Sequence, residues 1–155
     1  MAATVHICVI ALLIQASTAS VGGPDFSGAW TLFNIDGVKI ADQVAAQLQD
    51  KIASEKTLVV KQTANELSIN RQEDERKTET KYTIGGKGKG SATWDGKKLD
   101  LRRTIELTVS NRSLQMETEE VWSLSEDRKM LVIEWAVHAP LAIYHYQLAY
   151  KLKVE

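Results

Sequence analysis

The chain has 155 residues, of which 44% are hydrophobic, and it carries a formal net charge of −1 with a single cysteine. The near-zero charge argues against a nucleic-acid or anionic-membrane partner, because both of these select basic proteins. One cysteine cannot form an internal disulfide, and no cluster of residues has metal-ligand spacing, so we predict neither a metal nor another cofactor.

The first twenty residues have the pattern of a secretory signal peptide. Residues 5–14 are almost uninterruptedly apolar, and small residues follow at positions 16–20. The apolar run is too short to span a bilayer. We therefore predict export to the periplasm or the cell exterior, with cleavage after Ala19 or Ser20; a buried N-terminal strand is the alternative. The cysteine, Cys8, lies in this segment, and residues 21–155 are predicted to form a single domain.

An amphipathic helix is predicted between the first strand, residues 25–34, and the rest of the chain. Over residues 40–53 the apolar side chains recur at helical spacing, at Ala41, Val44, Ala45, Leu48 and Ile52. Asp42 lies near its start and Lys51 near its end, as the helix dipole favours. We expect this helix to cover an open end of the remaining structure.

After residue 55 the chain alternates apolar and polar residues, which predicts half-buried strands. Connections of two to four residues favour antiparallel neighbours, and a long meander with one apolar face tends to close into a barrel. The fold class is therefore predicted as all-β, an antiparallel meander of about eight to ten strands closed into a barrel. The predicted strands are 25–34, 56–63, 66–73, 77–84, 87–94, 97–110, 113–125, 129–138 and 143–153.

Two of these strands place opposite charges on the apolar face. Arg103 interrupts the apolar odd positions of strand 97–110, and Glu120 interrupts the apolar even positions of strand 113–125. A turn at Asn111-Arg112 would set the two charges directly opposite each other. This pair could anchor a ligand's polar group, form a structural ion pair, or be turned outward by a β-bulge.

The neighbouring turns bring further candidates towards this pair. A turn at Asp95-Gly96 sets Gly90 opposite Leu101 and Gly88 opposite Arg103, which would leave space beside the arginine. The turns at Asp127-Arg128 and at 139–142 set Glu120 opposite Trp135, and Trp135 opposite Tyr146. The predicted ligand-binding residues are Arg103, Glu120, Thr118, Tyr82, Trp135, Tyr146, Gly88 and Gly90.

One short motif resembles a known superfamily. The run Phe26-Ser27-Gly28-Ala29-Trp30-Thr31-Leu32 resembles the opening strand of the calycins: Gly-x-Trp in lipocalins and Phe-x-Gly-x-Trp in fatty-acid-binding proteins. Residues 94–99 and 120–127 also resemble elements of small secreted lipocalin-like domains. The resemblance implies a barrel with a hydrophobic ligand inside. The chain lacks the C-terminal Arg-x-Tyr of fatty-acid-binding proteins, so their specificity is not implied.

Three functions remain open at this point. The first is an exported binding or carrier protein for a small hydrophobic or amphipathic molecule, and the second is a filled barrel that binds another protein. The third is an enzyme of hydrolase or isomerase type, for which only Glu120, Arg103 and a tyrosine offer acid, base or electrophile chemistry. A contiguous interior cavity favours the first function over the second. Asn111-Arg112-Ser113 also matches a glycosylation acceptor in a eukaryotic secretory pathway.

Overall fold

The computed structural model describes residues 22–37, 42–73 and 75–154. Nine strands close into one barrel in sequence order, with one helix after the first strand, which confirms the predicted fold class. The predicted signal peptide and the first two positions of the predicted helix lie outside the described residues. The elements are β1 (Gly28–Gly37), α1 (Gln43–Ser54), β2 (Thr57–Gln62), β3 (Glu66–Glu73), β4 (Arg76–Ile84), β5 (Ser91–Asp95), β6 (Lys98–Val109), β7 (Arg112–Leu124), β8 (Met130–His138) and β9 (Ile143–Leu152).

Helix α1 lies over one end of the barrel with its apolar face inward, burying Ala45, Leu48 and Ile52. Its N-cap is Asp42, whose carboxylate accepts hydrogen bonds from the Ala45 amide at 2.7 Å and from the Tyr144 hydroxyl of β9 at 2.6 Å. Both bonds fix where the helix begins, because they satisfy an unpaired amide and tie the helix to the barrel wall. No helix in the described part of the chain is long and apolar enough to cross a membrane.

The opposite end of the barrel is filled by aromatic side chains, and we call it the packed end: Phe26, Trp30, Trp94 and Trp122. Phe26 is fully buried, stacks on Trp94 with ring centroids 5.9 Å apart and meets Trp122 edge-on at 5.8 Å. The Trp30 indole donates to the Phe26 carbonyl at 2.9 Å. The motif that carries the calycin resemblance therefore closes this end of the barrel with its Phe26 and Trp30 side chains. Residues 24–27 precede the first strand, because β1 begins at Gly28 rather than at residue 25 as predicted.

The strand registers on one side of the barrel are as predicted. Glu120 pairs with Trp135 between β7 and β8, and Trp135 pairs with Tyr146 between β8 and β9. The first of these hairpins turns at Arg128, which has a φ of 57°. Both registers place the apolar residues of adjacent strands on the same inner face.

Two other registers were predicted wrongly, each by two residues. The β6–β7 turn is formed by Ser110 and Asn111, whose φ values of 50° and 61° suit a tight hairpin turn, rather than by Asn111-Arg112. Arg103 therefore pairs with Thr118, not with Glu120. A shift of two residues leaves every side chain on its predicted face, so Arg103 and Glu120 still lie inside the barrel as diagonal neighbours.

The β5–β6 hairpin differs in the same way, because its last pair is Asp95 with Lys98 and its turn is Gly96-Lys97. Leu101 consequently pairs with Ala92 instead of Gly90. The predicted positions of Gly88 and Gly90 opposite β6 are wrong for a further reason. Strand β5 begins at Ser91 rather than at residue 87, and both glycines lie in the preceding loop with positive φ values of 84° and 76°.

Strands β4 and β5 are parallel, which corrects the prediction that all neighbours are antiparallel. The glycine-containing loop of residues 85–90 brings the chain back beside Thr83 before β5 begins. Only two pairs join the strands, Thr83 with Ser91 and Ile84 with Ala92.

This sparse pairing leaves a gap in the wall, which we call the seam. Strand β5 reaches only residues 98–101 of β6 and residues 83–84 of β4. Among the described residues, no strand lies between residues 76–82 of β4 and 102–109 of β6. The nine strands therefore follow one another around a closed barrel, but along the seam the described residues of β4 and β6 are not joined by backbone hydrogen bonds.

Candidate functional site

Four ionisable side chains meet inside the barrel, and we call them the charged layer: Glu55, Arg71, Arg103 and Glu120. Arg71, Arg103 and Glu120 come from inward positions of β3, β6 and β7, while Glu55 is the residue that follows helix α1. Side-chain exposure is 7% for Glu55, 4% for Arg71, 15% for Arg103 and 3% for Glu120. Two carboxylates and two guanidinium groups are thus held together away from water, with no net charge.

Arg103 bridges the two carboxylates. Its Nε donates to Glu120 Oε1 at 2.6 Å, and its two terminal nitrogens donate to Glu55 at 3.4 and 3.2 Å. The guanidinium carbon also lies 5.6 Å from the centre of the Trp135 ring, within the range of a cation–π contact. Every nitrogen of this side chain that can donate is therefore engaged by the protein itself.

Arg71 makes a looser set of contacts with the same carboxylates. Its Nη2 lies 3.3 Å from both oxygens of Glu120, and its Nε lies 3.5 Å from Glu55 Oε2. Its remaining nitrogen, Nη1, is buried and has no hydrogen-bond partner in the described part of the chain. Of the two arginines, Arg71 is therefore the one with a side-chain nitrogen that makes no hydrogen bond to the described residues.

The surroundings keep both acids ionised. Burial alone would raise the pKa of Glu55, but Arg103, Arg71 and Lys51 outweigh burial and lower it to about 2. Burial likewise opposes ionisation of Glu120, yet Arg103, Arg71 and a hydrogen bond of 2.8 Å from the Trp122 indole lower its pKa. Buried charges are tolerated in this way only when partners compensate for lost hydration.

Tyr82 adds a polar group beside the charged layer. Its side chain is 1% exposed, and its hydroxyl is buried without a well-formed hydrogen bond among the described residues. Burial raises the pKa of Tyr82 and the Glu120 carboxylate raises it further. Both effects outweigh the two arginines, which lower it, Arg71 partly through a side-chain hydrogen bond, so the hydroxyl stays protonated and able to donate. Buried donors in folded proteins nearly always have a hydrogen-bond partner, which makes this hydroxyl a candidate to contact a bound molecule.

A cavity of about 1210 Å³ connects this layer to the surface. Its lining includes inward residues such as Arg71, Tyr82 and Glu120, and also outward residues such as Arg102 and Glu119. Since both faces of the wall contribute, the cavity must pass through the seam between β4 and β6. The interior is thus accessible from the side of the barrel.

The structure brings four more predicted residues to this cavity and leaves two outside it. Thr118 and Tyr82 line its inner part, and Gly88 and Gly90 line its outer part. A Cβ atom added at either glycine would meet nothing within 4 Å, so neither glycine makes room for Arg103 as predicted. Trp135 and Tyr146 are buried but line a second depression, of about 690 Å³, by the outer surface of β7–β9.

Glu55 and Arg71 were missed in the sequence, although both had a detectable signal. Arg71 follows Leu67 and Ile69 at period two, the same alternation that revealed Arg103. Glu55 lies three residues beyond Ile52 and continues the apolar stripe of the helix. Each is a charge on a face whose other members are buried.

The described residues contain no group of three His, Cys, Asp or Glu side chains placed to hold a metal ion. The charged layer has only two carboxylates, and both are engaged by arginines.

The barrel is similar in fold to the zebrafish ileal bile acid-binding protein, solved in complex with cholic acid. The two chains are 12% identical, the match covers 83% of this chain and 98% of that chain, and the TM-score is 0.51. At this identity the likeness shows a shared fold and nothing beyond it. No family model and no curated protein matches the sequence.

Proposed function

We propose that this protein binds a small hydrophobic or amphipathic molecule inside the barrel. The observation that carries the proposal is the cavity of about 1210 Å³, which ends at buried polar groups without partners. Ligand sites are typically concave, mostly apolar and oriented by a few polar groups. The bile acid-binding protein of similar fold is consistent with this use of a barrel interior.

The competing function, a filled barrel that acts through its outer surface, requires a solid core. Here the packed end is solid, but the region between the charged layer and the seam is hollow. The cavity therefore favours a binding or carrier role over a purely structural interaction module.

A binding titration with the neutral dye Nile red tests the proposal. Thr80 is an inward residue of β4 that lines the cavity. Thr80→Trp should occupy part of the cavity and reduce dye affinity at least about ten-fold, because the indole takes up space that the dye needs. Thr108→Trp is the matched control, since Thr108 is exposed on β6 and does not line the cavity. Equal binding by both variants would contradict the proposal.

The natural ligand should be sought in protein purified from its own source. Native mass spectrometry should detect a bound mass that organic extraction removes. A ligand-free barrel that also fails to bind Nile red would count against the binding function.

Export is a separate proposal that rests on the sequence of residues 1–20. N-terminal sequencing of the exported protein should begin near Ser20 or Val21. Recovery of soluble cytoplasmic protein that begins at Met1 would overturn it.

A further inference from the structure

We propose that the ligand presents an uncharged oxygen, a hydroxyl or a carbonyl, to the charged layer, and that the barrel discriminates against free carboxylates. This inference rests on the proposed binding function and names the ligand class. It follows from the charge balance of the layer and from the two donors that remain unused beside it.

The arginines of the barrel are already neutralised by the protein's own acids. Arg103 gives all three of its nitrogens to Glu55 and Glu120. Arg71 directs two of its three nitrogens at the same carboxylates. No uncompensated positive charge is left in the layer to attract an anion.

Two donors remain available where the cavity meets this layer. Arg71 Nη1 and the Tyr82 hydroxyl are both buried, neither has a well-formed hydrogen bond among the described residues, and both residues line the cavity. Arg71 lies near enough to Tyr82 to lower the pKa of its hydroxyl by hydrogen bonding, so the two groups face the same point of the cavity. A guanidinium nitrogen can only donate, and a phenol hydroxyl can donate or accept. A single hydroxyl or carbonyl oxygen is the simplest group that would satisfy both.

A carboxylate would satisfy the same donors at a higher cost. It would bring a further negative charge next to Glu55 and Glu120, whose arginines are already shared. The neighbouring cation, Lys51, contacts Glu55 at 3.3 Å but is itself paired with Glu73 at 2.9 Å, so it leaves no uncompensated positive charge. The ligand's carboxylate would also lose its hydration on entering a site of low dielectric constant, where like charges repel more strongly than in water. An uncharged oxygen loses less hydration and meets no repulsion.

A matched ligand pair tests this inference on the wild-type protein after delipidation. 1-Dodecanol and dodecanoate have the same chain length and differ in the charge of the terminal group. Each is titrated against bound Nile red at pH 7.4. We expect 1-dodecanol to displace the dye at a concentration at least ten-fold lower than dodecanoate.

Two variants locate the cause of the preference. Glu55→Gln leaves the layer with one excess positive charge and should improve dodecanoate affinity at least ten-fold relative to 1-dodecanol. Tyr82→Phe removes one donor that has no well-formed hydrogen bond in the fold, so it should fold normally and weaken 1-dodecanol about five-fold relative to dodecanoate, with each displacement corrected for the variant's own affinity for Nile red. Glu66→Gln is the control, because Glu66 is 53% exposed on β3 and should alter neither ligand.

The outcomes separate this inference from the proposed function. If Nile red binds but dodecanoate competes as well as 1-dodecanol, the charge discrimination is wrong and the binding function stands. If Nile red does not bind at all, both fail. If Glu55→Gln does not fold, the wild-type pair and Tyr82→Phe still decide the matter.

Discussion

The packed end and the charged layer lie in the same barrel interior but fill it by different interactions. At the packed end, the rings of Phe26 and its aromatic neighbours pack against one another and fill the space, so that no water fits between them. In the charged layer, Glu55 and Glu120 form ion pairs with arginines, and the stability of this layer depends on each buried charge having an oppositely charged partner. The side chains of the packed end are satisfied by one another, whereas the charged layer lies beside a cavity and two donors without a well-formed hydrogen bond.

This difference indicates where binding can occur without loss of stability. A ligand at the packed end would have to displace buried aromatic surface. A ligand beside the charged layer would add hydrogen bonds to groups that now lack them. The predictions below test whether the two regions differ in this way.

Removing a ring from the packed end should have one of the largest effects on stability. Phe26 is fully buried between two tryptophans, so Phe26→Ala should lower the free energy of unfolding by about 3–5 kcal/mol. Urea denaturation measures this change. Phe33→Ala is the control, because Phe33 is 58% exposed, and it should cost less than about 1 kcal/mol.

In the charged layer, replacing one arginine should lower the free energy of unfolding as much as Phe26→Ala does. Replacing an arginine together with its partner carboxylate should lower it much less. Arg103→Ala should cost about 3–5 kcal/mol, because it leaves Glu55 and Glu120 buried with too few partners. The double variant Arg103→Met with Glu120→Leu keeps Arg71 and Glu55 as a neutral pair, and its cost should be far smaller.

Urea denaturation of the single and double variants checks this cycle. The outward neighbour Arg102 serves as the control, since its contact with Glu119 is largely exposed and Arg102→Ala should cost less than about 1 kcal/mol. A double variant as unstable as Arg103→Ala would contradict the interpretation that unpaired charge causes the loss.

Lowering the pH should reduce the stability that the charged layer contributes and leave the contribution of the packed end unchanged, because only the charged layer contains ionisable carboxylates. The pKa of Glu55 falls from an ordinary value of 4.5 to about 2 in the fold. Its ionisation therefore stabilises the protein fully above pH 4.5, and this contribution, roughly 3 kcal/mol, is lost as the pH falls towards 2. Denaturation curves between pH 6 and pH 2 should be less steep in pH for Glu55→Gln than for the wild type. Identical slopes would contradict this role.

The attachment of helix α1 should give the smallest effect. Tyr144 donates to the N-cap Asp42 at 2.6 Å in a partly buried hydrogen bond, so Tyr144→Phe should cost about 0.5–1.5 kcal/mol. Hydrogen exchange should accelerate in the first turn of α1 and remain unchanged at the packed end. A uniform acceleration would mean that the helix and barrel unfold as one unit.

The sequence was sufficient to predict the barrel, the helix and the faces of the strands, but not every register. Alternation with period two identifies the buried face, and it looks the same after a shift of two residues. The β6–β7 hairpin was misplaced for this reason, because two adjacent residue pairs could each form the turn. Arg103 and Glu120 still meet, since a long arginine side chain reaches a diagonal neighbour.

The seam and half of the charged layer could not be derived from strand patterns. The parallel pairing of β4 and β5 depends on how the loop of residues 85–90 folds back, which short connections did not indicate. Glu55 comes from a helix end, and its distance from Arg103 depends on how the helix docks. Alternation could have revealed Arg71, but only the folded chain shows that both acids share both arginines.

The seam also has a consequence for association between copies of the chain. Residues 76–82 and 102–109 present strand edges without strand partners, and such edges can recruit a strand from another molecule. The outward positions of β4 carry Lys77, Glu79 and Lys81. Charged side chains, lysine above all, disfavour edge-to-edge pairing. The opening through which we propose that a ligand enters is thus flanked by charges that disfavour aggregation.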